Sequence, residues 1–259
     1  MIHIKRWYLA NSLRNYNYLL FNKSSNTAII IDPTSEEHYK DYIMQYNFKV
    51  ESILVTHHHF DHNAAVYPLK KFFSVPIVID FDFLQNSTEI KKYLDYYLYN
   101  FLTSTVRIIK SPGHTSDHIV FYFPNERILF SGDTIFAAGI GNIRDSTSDI
   151  KMLYRTTSAL SCLPDNVKIY PAHDYVINNL LFAHSICPKD TIYSQWLQNI
   201  SNFSATDMPP TTIADEKNIN IFFRILQDRK LQMQLNLKSK HVVDAESAFS
   251  YLRKQRDLF

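Results

Sequence analysis

The chain has 259 residues, 46% of them hydrophobic and 20% charged, and a formal net charge of +2 at pH 7. That length can bury a substantial core, in one domain or in one domain with a smaller appendage. The near-neutral balance gives no reason to expect nucleic acid as a partner, and no stretch has the roughly 20 apolar residues needed to span a membrane.

In chain order, Tyr18 to Phe21 and Ala28 to Ile31 read as two strands around a turn at Asn22 to Asn26. Asp32-Pro33 ends the second strand before a helix candidate from Glu36 to Tyr46. Val50 to Val55 is a strand that runs into Thr56-His57-His58-His59-Phe60-Asp61-His62. Lys70 to Phe73 closes a short helix, and Pro76 precedes a strand at Ile77 to Ile79. Further strands follow at Val106 to Ile109, Ile119 to Phe123, Arg127 to Phe130 and Val167 to Tyr170. Strands interleaved with helices predict packed sheets covered by helices.

After His173 the pattern becomes helical. Val176 to Ile186 forms one amphipathic segment ending near Pro188, Thr191 to Ile200 a second, and Asp244 to Arg256 a third. Asp244 can cap the free amides of the third, with Ala248, Tyr251 and Leu252 along one face. His184 reads as an ordinary helix residue. Cys162 and Cys187 lack C-x-x-C spacing and make no disulfide framework. The segment Met1 to Trp7 lacks the apolar core of a secretory signal. The expectation is therefore a soluble cytoplasmic protein, and nothing in the helical tail demands a partner, so a monomer.

The chemistry concentrates in the histidine run. Four of the 11 histidines fall within six positions, and five of the seven residues from Thr56 to His62 can ligate a metal. Two histidines two apart on an extended segment point the same way, whereas Asp61 and His62 leave in another direction, which suits two neighbouring ions. A catalytic ion keeps a position open for water, so about three protein ligands per ion are expected. Two ions then need donors beyond this run. Three more strand ends supply candidates: the Pro112-Gly113-His114-Thr115 turn, Gly132-Asp133-Thr134, and His173-Asp174-Tyr175.

This series resembles the hydroxyacylglutathione hydrolases (glyoxalase II) of the metallo-beta-lactamase superfamily. The family's T-H-x-H-x-D-H stands at Thr56 to His62, P-G-H-T at Pro112 to Thr115, G-D-T-[LI]-F at Gly132 to Phe136 and H-[ED]-Y at His173 to Tyr175. The resemblance implies an α/β fold, an αββα metallo-beta-lactamase-like sandwich over residues 1–174, with a mainly helical substrate-binding domain over residues 175–259. It implies two divalent ions, zinc or alternatively iron. His57, His59 and His114 would hold one ion, Asp61, His62 and His173 the other, and Asp133 would bridge. His58 is then left outside the ligand set, and His118 has a supporting or structural role. Asp61 and Asp133 are also the candidate catalytic proton relays. The implied reaction is hydrolysis of an S-2-hydroxyacylglutathione thioester, such as S-D-lactoylglutathione, by hydroxide generated between the ions. A thiolate leaves readily, so no protein general acid is required.

Glutathione is an anionic carrier and calls for basic side chains near the metals. The resemblance places Tyr175 against it, and the stretch Pro209 to Arg224 resembles the family's P-[ST]-x-x-x-E-x-x-x-N-P-F-x-R, which nominates Arg224, with Arg229 and Lys230 beside it. Where the family has A-G-C-G-[RK], this chain has Ala138-Gly139-Ile140-Gly141-Asn142, so an amide replaces a carrier-binding cation; Arg144 is the candidate to compensate. Ala64-Ala65 likewise replaces the family's usual glycines. The rivals within the superfamily are an iron-dependent glutathione persulfide dioxygenase and a lactonase. A nuclease would want a basic groove, and an inert scaffold would lack ligands; none of the seven is missing here.

Overall fold

The computed structural model describes residues 1–86, 91–92 and 96–259. The chain divides into two compact units. The first comprises Met1–Lys110, Asp117–Gly132 and Pro171–His173; the second comprises Ser111–Ser116, Asp133–Tyr170 and Asp174–Phe259.

The first unit holds two sheets. In one, β1 (Ile2–Tyr8), β2 (Tyr16–Asn22), β3 (Thr27–Ile31), β4 (Lys49–Leu54) and β5 (Ile77–Ile79) lie in that order. The first three run antiparallel, and β3, β4 and β5 are parallel. Parallel neighbours need crossovers, and α1 (Glu37–Tyr46) supplies the first while α2 (Phe60–Asn63) and α3 (Val66–Phe72) supply the second. α4 (Phe81–Asn86) follows β5. The other sheet is an antiparallel run of β6 (Lys91–Lys92), β7 (Tyr97–Phe101), β8 (Ser104–Lys110), β9 (Ile119–Phe123) and β10 (Ile128–Gly132).

Strand β2 is buried along its whole length because both of its faces are covered. Leu19 and Phe21 pack with Tyr39 and Ile43 of α1, while Tyr18 turns the other way and meets the Phe130 ring edge-on at 5.2 Å. These strands and helices fall where the apolar patterning placed them. β1, α2, α4, β6 and β7 carry no such signal: β1 mixes Ile2, Ile4 and Trp7 with His3, Lys5 and Arg6, and all seven of its residues are half-buried.

The second unit contains the β11 (Ile135–Phe136) and β12 (Gly139–Ile140) hairpin, α5 (Ile150–Leu160), β13 (Lys168–Pro171), α6 (Val176–Ile186) and α7 (Thr191–Ile200). Then come β14 (Thr211–Thr212), α8 (Ile213–Ile219), α9 (Ile221–Arg224), α10 (Arg229–Lys238) and α11 (Ala245–Leu258). Caps fix the helix starts. Asp149 accepts from the amides of Lys151 and Met152, Thr212 and Asp215 form a capping box, and Asp244 forms another with Ser247. α6, α7 and α11, with the Asp244 cap of the last, were predictable from periodicity and capping; α5, α8, α9 and α10 were not. The core gathers Leu153, Leu180, Phe182, Phe222, Phe249 and Leu252. Among the described residues no helix is long and apolar enough to cross a membrane.

Within that core lies a carboxylate. Glu216 of α8 is wholly buried and accepts hydrogen bonds from the Ala138 amide, at 3.0 and 3.2 Å to its two oxygens, and from Asn220 Nδ2 at 2.7 Å. Burial pushes its carboxyl up to about 7, against the opposing pull of those donors. A folded-state value above the ordinary 4.5 means that stability present below that value is lost as pH rises toward 7. Between those limits the wild type is expected to lose roughly 2–3 kcal/mol relative to Glu216→Gln. Urea unfolding of both proteins across this range checks it; parallel stability curves would show that Glu216 does not titrate there.

Candidate metal centre

Past β4 the chain enters the histidine run through a bend at residues 56–58, with Thr56, His57 and His62 buried. His59 (φ −60°, ψ 140°) occupies the N-cap of α2. This turn sets His59 beside His57, with His57 Nε2 2.9 Å from His59 Nδ1. Two ring nitrogens facing at that distance need a shared proton or cation between their lone pairs. His58 is turned elsewhere: its Nδ1 lies 2.8 Å from Asp117 Oδ1, and nearly half of its side chain is exposed. His118 is fully buried and its ring stacks on that of His57 at 4.8 Å.

The short helix α2 then brings Asp61 and His62 to His173. Asp61 Oδ2 lies 3.5 Å from His62 Nε2 and 3.4 Å from His173 Nε2, and the ligand atoms of the three residues lie within 4.8 Å of one another. Asn15 Nδ2 donates to Asp61 Oδ2 at 2.8 Å, and Thr34 Oγ1 donates to the Asp61 carbonyl at 2.6 Å, so side chain and backbone are both fixed. In the second unit, buried His114 presents Nε2 at 3.4 Å from Asp133 Oδ2.

Behind these rings runs one rule. His62 Nδ1 meets Asp32 Oδ2 at 3.0 Å, His173 Nδ1 the Leu13 carbonyl at 2.7 Å, His114 Nδ1 the Asn142 carbonyl at 2.8 Å and His57 Nδ1 Thr56 Oγ1 at 3.1 Å. An Nδ1 proton held in this way leaves the Nε2 lone pair facing the opposite side, the arrangement of ligating histidines. Asp32 is shared, since it also accepts from the Thr56 amide at 2.8 Å and from Thr56 Oγ1 at 2.7 Å. Gly132, at φ +50°, passes so close to Thr56 and His118 that a Cβ would meet their side chains at 2.7 and 2.8 Å. A side chain there would both strain the backbone and displace the network.

Of the carrier-binding candidates, Asn142 and Arg144 share one turn, with Asn142 Oδ1 accepting from the Arg144 amide at 3.0 Å. Arg144 is largely exposed, its Nη2 4.0 Å from Asp257 Oδ1. Tyr175 packs edge-on against Phe136 at 5.2 Å. Arg224 has a local occupation: its Nη1 donates to Asp190 Oδ2 at 2.6 Å and to Tyr193 OH at 2.7 Å. Arg229 and Lys230 are exposed at the start of α10. Two cations escaped the sequence reading, Arg253 and Arg256 of α11, a helix known from sequence only by its cap and apolar face. Arg253 is buried, and burial pulls its guanidinium down to about 10. Burial likewise lowers Arg256, with Arg144 and Tyr175 close enough to act on its charge. The spacing of two arginines three apart beside Phe249 and Leu252 was the available signal.

Asp32 also escaped, read only as the residue that ends a strand before Pro33. Asp32→Asn keeps the shape and removes the acceptor facing His62, and is expected to weaken zinc binding 10- to 100-fold. Chelator competition on the refolded full chain measures this, and unchanged affinity would remove Asp32 from the support of the site.

The comparisons with known proteins follow the same lines. A metallo-beta-lactamase superfamily model matches residues 12–80 and 94–173, and a model described as hydroxyacylglutathione hydrolase C-terminus matches residues 174–259. A hydroxyacylglutathione hydrolase of Francisella tularensis subsp. novicida is 37% identical over 236 residues, covering 89% of this chain and 90% of that protein. Among solved structures, BLEG-1 B3 metallo-beta-lactamase aligns with TM-score 0.63 at 21% identity, covering 85% of this chain and 99% of its own. ETHE1 from Myxococcus xanthus aligns with TM-score 0.63 at 19% identity, covering 99% of both chains.

Proposed function

Since the chain belongs to the hydroxyacylglutathione hydrolase family of the metallo-beta-lactamase superfamily and is a metal-dependent hydrolase, we propose that it cleaves S-2-hydroxyacylglutathione thioesters, S-D-lactoylglutathione among them, at a two-ion centre. We assign His57, His59 and His114 to one ion and Asp61, His62 and His173 to the other, with Asp133 bridging. The single observation that carries this is the common orientation of His57, His62, His114 and His173, each with Nδ1 engaged and Nε2 presented. Imidazole and carboxylate donors suit zinc and also accept iron; zinc is the metal proposed, because hydrolysis needs a Lewis acid and no change of oxidation state. Such ions, when bound, lower the pKa of water toward neutrality and polarise a carbonyl oxygen.

The protein's own groups do the rest. The acceptors behind the imidazoles hold them against rotation, and Asn15 and Thr34 hold Asp61, so the ligand atoms meet a substrate without reorganising. In this reading Asp61 and Asp133 carry a proton away from the attacking water. Asp61 is partly open to solvent, which gives that proton a way out. The departing thiolate is a good leaving group and needs no protein acid.

For the carrier, the residues of the second unit are proposed as the binding surface, as is the wider role of residues 175–259 as a substrate-binding domain. Tyr175, Asn142 and Arg144 provide aromatic contact, an amide and a positive charge, and Arg256 adds the cation that Asn142 lacks. Arg224, Arg229 and Lys230 stand on α9 and α10; the ion pair of Arg224 with Asp190 leaves Arg229 and Lys230 as the freer charges of that group. A cytoplasmic monomer remains the expectation for the working form.

The family match through residue 259 favours the thioesterase over a persulfide dioxygenase or a lactonase. A side-by-side assay of S-D-lactoylglutathione, a lactone and glutathione persulfide with the zinc-loaded enzyme tests it. Turnover of the thioester at least 100-fold above either rival is expected; turnover of a rival without thioester hydrolysis would overturn the assignment.

A further inference from the structure

Five backbone polar groups of the 137–142 loop are claimed by side chains of the helical segment. The Ala137 carbonyl accepts from Asn179 Nδ2 at 3.0 Å, and the Ala138 amide donates to Glu216. The Gly139 carbonyl accepts from Asn220 Nδ2 at 3.0 Å, and Arg253 Nη1 donates to the carbonyls of Ile140 and Gly141 at 3.1 and 3.2 Å. The last carbonyl, that of Asn142, accepts from His114 Nδ1. Gly141 lies so tightly between that a Cβ would fall 2.1 Å from the Asp133 carbonyl and 3.1 Å from the His114 ring. The path of this loop therefore sets where His114 points.

We propose that Glu216 is a positioning residue for His114: by anchoring the Ala138 amide it fixes the 137–142 loop, and through the Asn142 carbonyl it fixes the imidazole. The proposal rests on the reading of His114 as a metal ligand.

Three observations single out Glu216 within the clamp. Ala138 sits at φ +59°, a left-handed conformation that costs a non-glycine residue about 1–2 kcal/mol, so the loop takes this path only because something holds it. Glu216 also faces donors on both oxygens. Asn220 cannot reverse its amide to help, because its Oδ1 accepts from the Phe222 amide at 3.1 Å while Nδ2 serves Gly139. A glutamine at 216 keeps an acceptor for both donors only in the one orientation that turns its NH2 toward the Ala138 amide, 3.2 Å from Oε1, whereas a carboxylate accepts on either oxygen. Finally, a buried carboxylate with a raised pKa lowers stability near neutral pH. A group that weakens the fold and satisfies the loop is placed for the loop. This also explains the E-x-x-x-N spacing of the stretch that ends at Arg224: Glu216 and Asn220 lie four apart, and both grip the loop.

The test uses the full chain as wild type, Glu216→Gln and Glu216→Asp. Zinc affinity by chelator competition should fall about tenfold in Glu216→Gln, with thermal stability at pH 8 no lower than wild type. Glu216→Asp, still acceptor-only, should recover part of the loss. In the metal-free protein, 15N NMR of the His114 ring should show a hydrogen-bonded Nδ1 proton in wild type that exchanges faster in Glu216→Gln. Wild-type zinc affinity and an unaltered His114 signal in Glu216→Gln would overturn the proposal, as would weaker binding matched by lower stability. His114→Ala retaining two ions would instead overturn the ligand reading, while the metal-free NMR comparison still decides whether Glu216 governs the His114 ring.

Discussion

A neutral imidazole offers a metal its Nε2 lone pair only while Nδ1 carries the proton, and the protein enforces that state at His57, His62, His114 and His173 with four different acceptors: a hydroxyl, a carboxylate and two carbonyls. Each acceptor lies on an element whose position is decided by packing. Asp32 follows β3, the neighbour of β4 in the sheet, so the register between two buried parallel strands places the carboxylate under His62. Thr56 ties the same carboxylate to His57. The hydrophobic interior of the first unit is thereby the mounting for two of the four imidazoles, His57 and His62.

His114 depends on a different kind of support: it follows a Pro-Gly turn, and its ring is aimed by a loop whose backbone is gripped by Asn179, Glu216, Asn220 and Arg253. These four side chains come from α6, α8, the α8–α9 junction and α11. The helical segment therefore holds the loop behind His114 in addition to carrying Tyr175 and Arg256, the residues proposed for the carrier. Buried polar networks of this sort weaken a fold when one member is left unpaired, which accounts for the dense mutual satisfaction seen here.

Much of this could be read from the sequence, and what could not has physical reasons. The buried strands announce themselves because both of their faces are apolar, and the metal donors because histidines and aspartates at strand ends have few other uses in such numbers. α6 and α7 begin and end at the residues their periodicity indicates. β1 was invisible because its half-buried surface mixes charge with aromatic residues, and α8 and α9 because they are only seven and four residues long. The supporting residues were the hardest to see. Asp32, Asn15 and Glu216 lie 24, 46 and 78 positions from the groups they hold, and nothing local distinguishes them from a strand end, a loop amide and a helix carboxylate. Arg224 shows the converse: its motif position suggested a carrier contact, while Asp190, 34 positions away, engages its guanidinium.

The proposed two-ion centre draws on seven ligands, and metal analysis tests it directly. Full-length protein reconstituted with zinc, freed of excess and measured by mass spectrometry of the elements should carry two ions per chain, with Asp133→Ala falling to one or none because the bridging carboxylate is lost. Near-zero zinc in the wild type under the same conditions, or two ions retained in Asp133→Ala, would contradict it.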